Sequence, residues 1–438
     1  MTKKTTTTEV MTTKNEKRYF PIKTDTACLA KWSFSKIILQ LGFTSSCHRV
    51  IDHTFDIDTF NFHNTPEKIA QRETMLKGQW PDGVLNKPEE TTCARYCGKF
   101  ERNGGRSDRQ FFNSLPNLYP NELDINPIAT TVTPTILEVY IDNTCNLKCV
   151  YCGPQLSSGI HTEMVKFGCF EKNGLTLESK FKHPDNFSLI QEKFWEWMHQ
   201  NVHKLKRLQL LGGEPFYQDQ FDQYLELFEH VPCPSLELEI VSNLMIKPEK
   251  LKQYMNHIKQ LISKKKLGRL DMHCSIDCWG PQQEFVRFGL NLEQWEENFK
   301  YLINERWIKL NINNTTSVLT IKTLPDLLDK LKDWTKDRRI EHYFAELFYP
   351  TYMAPDILGP GEFIEDFDRI LSIMETDTWR GSQTRDHFQG LVNNVKNSRL
   401  NEKEVLKLLT YLDELDRRRG TDWKQLFPWL EEYRNVVQ

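Results

Sequence analysis

The chain has 438 residues, 39% of them hydrophobic and 27% charged, with a formal net charge of −3. That length accommodates a large catalytic domain with one or two smaller modules. The near-neutral balance argues against a strongly basic nucleic-acid binder, and with no run of ~18 apolar residues no membrane-spanning helix is expected.

Residues 1–18, rich in Thr and Lys and lacking the apolar core of a secretory signal, read as a disordered tail, and a cytoplasmic location is expected. Residues 19–114 form a small Cys-bearing module. Residues 115–135 carry Pro116, Pro120, Pro127 and Pro134 and read as a linker. From 136 to 375 apolar strands alternate with amphipathic helices, the strands falling at 136–141, 207–211, 236–241, 270–276, 308–312 and 341–348. Leu251, Tyr254, Met255, Ile258, Leu261 and Ile262 make one helical face; Leu324, Leu327, Leu328, Leu331 and Trp334 make another. From the second strand on, strands begin roughly 30–40 residues apart, the signature of βα units, which imply parallel strands with right-handed crossovers. The expected class is therefore α/β, a partial (β/α)6 TIM-like barrel, with a doubly wound sheet as the alternative that pattern alone leaves open. An insert over residues 159–187, rich in Gly, Lys and Phe and weakly periodic, follows the first strand as a surface excursion or a cover for the site. Residues 376–438 read as a helical extension, with Val405, Leu408, Leu409, Leu412 and Leu415 on one stripe.

Eleven cysteines, at 28, 47, 93, 97, 145, 149, 152, 169, 233, 274 and 278, are an odd number in a chain that is not a short secreted scaffold, so metal or cluster ligation is expected rather than a pure disulfide framework. The strand at 136–141 runs into Cys145-Asn-Leu-Lys-Cys149-Val-Tyr151-Cys152. Three thiolates in a Cys-x3-Cys-x2-Cys loop suit one corner of a cubane cluster, leaving its fourth iron open. A zinc site would need a fourth ligand, for which His161 is the nearest candidate.

This loop resembles that of the radical S-adenosylmethionine (SAM) superfamily, with Tyr151 at the family's aromatic position. The resemblance covers residues 136 to about 350. It implies that Cys145, Cys149 and Cys152 hold a [4Fe–4S] cluster whose open iron chelates SAM, and that a 5′-deoxyadenosyl radical abstracts a substrate hydrogen. Other strand ends agree with it. Gly212-Gly213-Glu214 is similar to the family's Gly-Gly-Glu motif, which meets the SAM amino group; Ser242-Asn243 resembles its polar strand end near SAM. Ser275 and Asp277 end the fourth strand, Arg287 follows twelve residues after Ser275, and in relatives a Ser and an Arg so spaced grip the SAM carboxylate. Asn311 and Asn313 end the fifth strand. Strand alternation places Asp271, His273, Ser275 and Asp277 on one face and makes Cys274 a core thiol on the other.

Cys28, Cys47, Cys93 and Cys97 look like a twitch module, the shorter relative of the SPASM domain, here placed before the barrel. The resemblance implies a second, auxiliary [4Fe–4S] cluster; a small zinc-stapled domain is the other reading of the same residues. Cys233 reads as a loop or packing residue, and Cys169 and Cys278 as bystanders or hydrogen donors to a substrate radical. Relatives with such modules commonly modify peptides or proteins. The expected function is thus SAM cleavage and hydrogen abstraction from a peptide or protein, with an electron donor such as flavodoxin or ferredoxin. A small metabolite, sugar or nucleotide as substrate, or a non-enzymatic iron–sulfur carrier, are the competing readings.

Overall fold

The structure is a computed structural model describing residues 20–48, 50, 52–81, 92–102, 107–115, 117–338, 340–376 and 383–437. The tail expected at 1–18 lies outside the described residues.

The chain divides into two compact units. The first comprises Met1–Ser35, Ser45–His53 and Asn61–Thr135. Its longest helix is α1 (Pro66–Leu76), started by Thr65, whose hydroxyl accepts from the Lys68 N–H, and by a proline in the first turn, where the missing donor is no loss. The proline-rich stretch before residue 136 is fastened within this unit. Trp32 Nε1 donates to the Ala129 carbonyl at 2.7 Å, Arg72 Nη1 to the Thr130 carbonyl at 2.6 Å and Asn64 Nδ2 to the Val132 carbonyl at 2.9 Å.

The second unit takes in Lys36–Thr44, Thr54–Phe60 and Ile136–Gln438. Its frame is six strands of a nine-stranded sheet, β1 (Ile136–Tyr140), β2 (Arg207–Leu211), β3 (Cys233–Ser242), β4 (Leu267–Ser275), β5 (Lys309–Thr316) and β6 (Glu341–Glu346). All five pairings between successive strands are parallel. Among these six strands spatial order follows chain order without reversal. A doubly wound sheet would need a switch point where the order reverses, so the singly wound, barrel-type alternative is the one adopted. β6 and β1 are not neighbours, so the barrel is open.

Helices between the strands include α2 (Ser158–Phe167), α3 (Phe187–Asn201), α4 (Gln220–His230), α5 (Pro248–Ser263), α6 (Leu292–Asn304) and α7 (Leu324–Trp334). The apolar stripes expected on α5 and α7 are buried, apart from Ile262 and Trp334, which are half-buried. The weakly periodic insert departs from expectation, because it contains a ten-residue helix, α2, and a hairpin of Phe170–Lys172 with Leu175–Leu177. The inner face of α2 buries Ile160 and a carboxylate, Glu163, paired with Lys148 Nζ at 2.6 Å and Arg419 Nη2 at 3.1 Å. A helix seated on ion pairs shows no hydrophobic stripe to read. After β6 come α8 (Ile364–Met374), α9 (Gln383–Lys396) and α10 (Glu402–Arg419), the last burying Val405, Leu408, Leu409, Leu412 and Leu415. Among the described residues no helix is long and apolar enough to cross a membrane.

His342, on the helix-facing side of β6, is 1% exposed, stacks on Phe344 and has no hydrogen-bond partner at either ring nitrogen. Burial pushes it down to about 3. The native state therefore binds fewer protons than the unfolded chain between pH 6.5 and 3, and stability present above pH 6.5 is lost as pH falls through that window. His342→Phe is expected to remove about 2 kcal/mol of this acid sensitivity between pH 7.5 and pH 5, read from urea midpoints at those two pH values.

Candidate active site

β1 delivers the chain into the cysteine loop, and neighbouring elements clamp that loop. The Val150 N–H donates to the Val286 carbonyl at 2.8 Å, and Lys148–Cys149 pairs antiparallel with Arg287–Phe288, setting Cys149 opposite Arg287. From α10, Tyr411 Oη donates to the Val150 carbonyl at 2.6 Å. The Ser158 hydroxyl accepts from the Cys145 N–H at 3.2 Å.

Cys145, Cys149 and Cys152 line a cavity of about 180 Å³ at the C-terminal ends of the strands. Gly212, Gly213 and Glu214 line it from the end of β2, Asn243 from the end of β3, and Ser275 and Arg287 from β4 and the segment beyond it. This is the face where barrel enzymes assemble sites. Ser242, Asp277 and Asn313 are not among the lining residues. Ser242 Oγ donates to Glu214 Oε1 at 2.8 Å, and Asn313 lies beside Ser275 in the strand register. Asp277 is fully buried beneath the wall. It accepts from Arg287 Nε and Nη2, both at 2.8 Å, from Tyr151 Oη at 2.6 Å and from the Thr315 N–H at 2.8 Å. Tyr140, Leu147 and Leu156 also line the cavity and were not singled out from sequence. Their only sequence signal is position, as apolar or aromatic neighbours of the motif residues.

The two glycines answer a spatial need. Gly212 and Gly213 both have positive φ, +79° and +56°, and a Cβ on Gly213 would stand 2.2 Å from the Thr144 carbonyl oxygen. The Glu214 N–H donates to that same oxygen at 2.9 Å. Only glycine lets the end of β2 lie against the cysteine loop this closely. Glu214 is 2% exposed, with Oε2 accepting from the Asn243 N–H at 2.7 Å; burial raises its carboxyl to about 7.

Burial also pushes up the thiols of Cys145 and Cys149, and Cys152 to about 12. Neutral thiols at ordinary pH become ligands when a metal displaces their protons. Among the described residues no fourth cysteine and no histidine lines the cavity. His161, the ligand a zinc site would recruit, is instead bonded through Nδ1 to Ser179 Oγ at 2.7 Å. The donor set fits a cluster with an open iron.

Deeper along the same face of β4, His273 Nε2 lies 3.2 Å from Glu239 and 3.5 Å from Asp271. Gln209 donates to Glu239 at 2.8 Å, and Lys309 Nζ to Asp271 at 2.6 Å. The barrel interior is thus polar where strand alternation places it, and Cys274, on the opposite face, is fully buried.

Within the first unit, Cys28, Cys47, Cys93 and Cys97 line a single pocket together with Lys31, Trp80 and Arg109. Ala94–Gly98 is a π-helical turn with Cys93 at its N-cap, and the four-residue helical spacing of Cys93 and Cys97 sets them on one side. Among the described residues, the one set of three His, Cys, Asp or Glu ligand atoms within 4.8 Å of one another is Glu239, Asp271 and His273.

No protein-family model and no curated protein matches the chain. Among solved structures it is similar to Streptococcus suis SuiB bound to S-adenosylmethionine, with 15% identity and a TM-score of 0.36 over 78% of this chain and 68% of that one. It is similar to anSMEcpe with bound AdoMet, with 16% identity and a TM-score of 0.34 over 63% of this chain and 66% of that one. It is also similar to coproporphyrinogen III oxidase (HemN) from Escherichia coli, described as a radical SAM enzyme, with 14% identity and a TM-score of 0.29 over 65% and 52%. The matched region is about two thirds of the first two relatives' length and half of the third's.

Proposed function

We propose that the chain is a radical SAM enzyme. The observation that carries this reading is convergence: three thiols of one loop face a cavity whose other walls supply a buried carboxylate, a paired guanidinium and close-approach glycines. Cys145, Cys149 and Cys152 hold a [4Fe–4S] cluster, which when bound supplies one electron to the sulfonium of a chelated SAM and so generates a 5′-deoxyadenosyl radical. Glu214, held between Ser242 and the Asn243 N–H, receives the SAM ammonium. Asp277 and Tyr151 orient Arg287 toward the SAM carboxylate, and although burial opposes its charge, the ion pair with Asp277 keeps the guanidinium firmly protonated.

Cys28, Cys47, Cys93 and Cys97 hold an auxiliary [4Fe–4S] cluster, supported by their shared pocket. The substrate class this module suggests is a peptide or protein, and a ferredoxin or flavodoxin supplies the electron. The test is anaerobic reconstitution with iron and sulfide, then dithionite and SAM. About eight irons per chain are expected for two cubanes, with formation of 5′-deoxyadenosine. Intact clusters without deoxyadenosine would favour the non-enzymatic carrier instead.

A further inference from the structure

Lys31 is 1% exposed, yet among the described residues its ammonium has only neutral hydrogen-bond acceptors: Ser46 Oγ at 2.9 Å and Gln71 Oε1 at 2.7 Å. A buried ammonium without a carboxylate is costly unless another negative charge lies nearby. Lys31 lines the pocket of the four cysteines, three residues after Cys28. Its neighbour Arg72 is fully buried and also meets neutral partners, donating from Nε to the Lys31 carbonyl at 2.7 Å and from Nη1 to Asn64 Oδ1 at 2.8 Å. Arg109, the pocket's other cation, is by contrast satisfied by Glu101 at 2.6 Å. Asp108, the pocket's one lining carboxylate, stands 3.5 Å from His48.

We infer that Lys31 is the fixed countercharge of the auxiliary cluster and sets its reduction potential. The inference rests on the reading of Cys28, Cys47, Cys93 and Cys97 as a cluster site. Four thiolates on a cubane leave it net negative in both redox states, and one unit more negative after taking up an electron. A buried ammonium beside it stabilises the reduced state more than the oxidised one, which raises the potential. Gln71, held on the ammonium from α1, fixes its position.

The test uses the full chain carrying Cys145→Ala, Cys149→Ala and Cys152→Ala, so that only the auxiliary cluster contributes, with dithionite as reductant and EPR as the readout. Lys31→Met is expected to retain about four irons per chain and to lower the reduction equilibrium about tenfold, about 59 mV for one electron. Lys31→Arg, which keeps the charge, should restore the parent value. Gln71→Glu leaves the lysine in place but sets a carboxylate on it, and should lower the potential in the same direction. Unchanged potentials in Lys31→Met and Gln71→Glu, with iron retained, would overturn the role of Lys31 and leave the cluster standing. Loss of iron in both variants would also overturn it, since a charge that only tunes potential is dispensable for assembly. Absence of iron from the parent would instead sink the cluster reading itself.

Discussion

Single replacement of Cys145, Cys149 or Cys152 by alanine is expected to remove about four irons per chain and to abolish deoxyadenosine formation. The expected loss exceeds the roughly ten- to hundredfold that removal of a mere supporting partner costs a metal site. The reason lies in the count of donors. Among the described residues the cavity offers three thiols and no fourth cysteine or histidine to take a lost ligand's place. The loop has no slack either, being clamped through Val150 to the Val286 and Tyr411 contacts and through Cys149 to Arg287. Iron analysis and chromatography of the quenched reaction check this together. Serine at the same positions should also fail to turn over. Retained deoxyadenosine formation in any one of the alanine variants would exclude that cysteine as a ligand.

Much of this frame was legible from sequence because its signals are local. Apolar runs and stripes mark elements that bury one face, and all six expected strands recur with ends shifted by three residues or fewer, save β5, which runs on to Thr316. That extension carries Asn314, whose side chain reaches the Ile276 and Asp277 carbonyls at 3.2 and 2.6 Å, so polar residues continue a strand that an apolar pattern would end. The helix α2 was illegible for a related reason: its buried face is held by Glu163, Lys148 and Arg419, and ion pairs leave no periodicity. At the site, motif spacing located the cavity wall but not the division of labour within it. Ser242 and Asp277 look in sequence like residues that touch the ligand. In the structure their side chains are spent on Glu214 and Arg287, and only three-dimensional contact could show that.

Asp277→Ala is expected to be the most destabilising substitution in the barrel unit. Asp277 is fully buried, and its carboxylate is the acceptor for Arg287, Tyr151 and the Thr315 N–H. Deleting it leaves a buried guanidinium without a counterion, an event that typically costs about 3–5 kcal/mol, and strands a phenol and a backbone donor besides. The penalty belongs to the orphaned charge rather than to the ion pair as such. Asp277→Ala combined with Arg287→Met should therefore recover much of the stability, because no uncompensated charge remains. Function should not follow stability. Arg287 lines the cavity, so the double variant regains its urea midpoint while SAM binding, read by equilibrium dialysis, stays lost. If the double variant proves no more stable than Asp277→Ala, the carboxylate matters through Tyr151 and Thr315. If SAM binding returns with stability, Arg287 holds the wall together and does not grip the ligand.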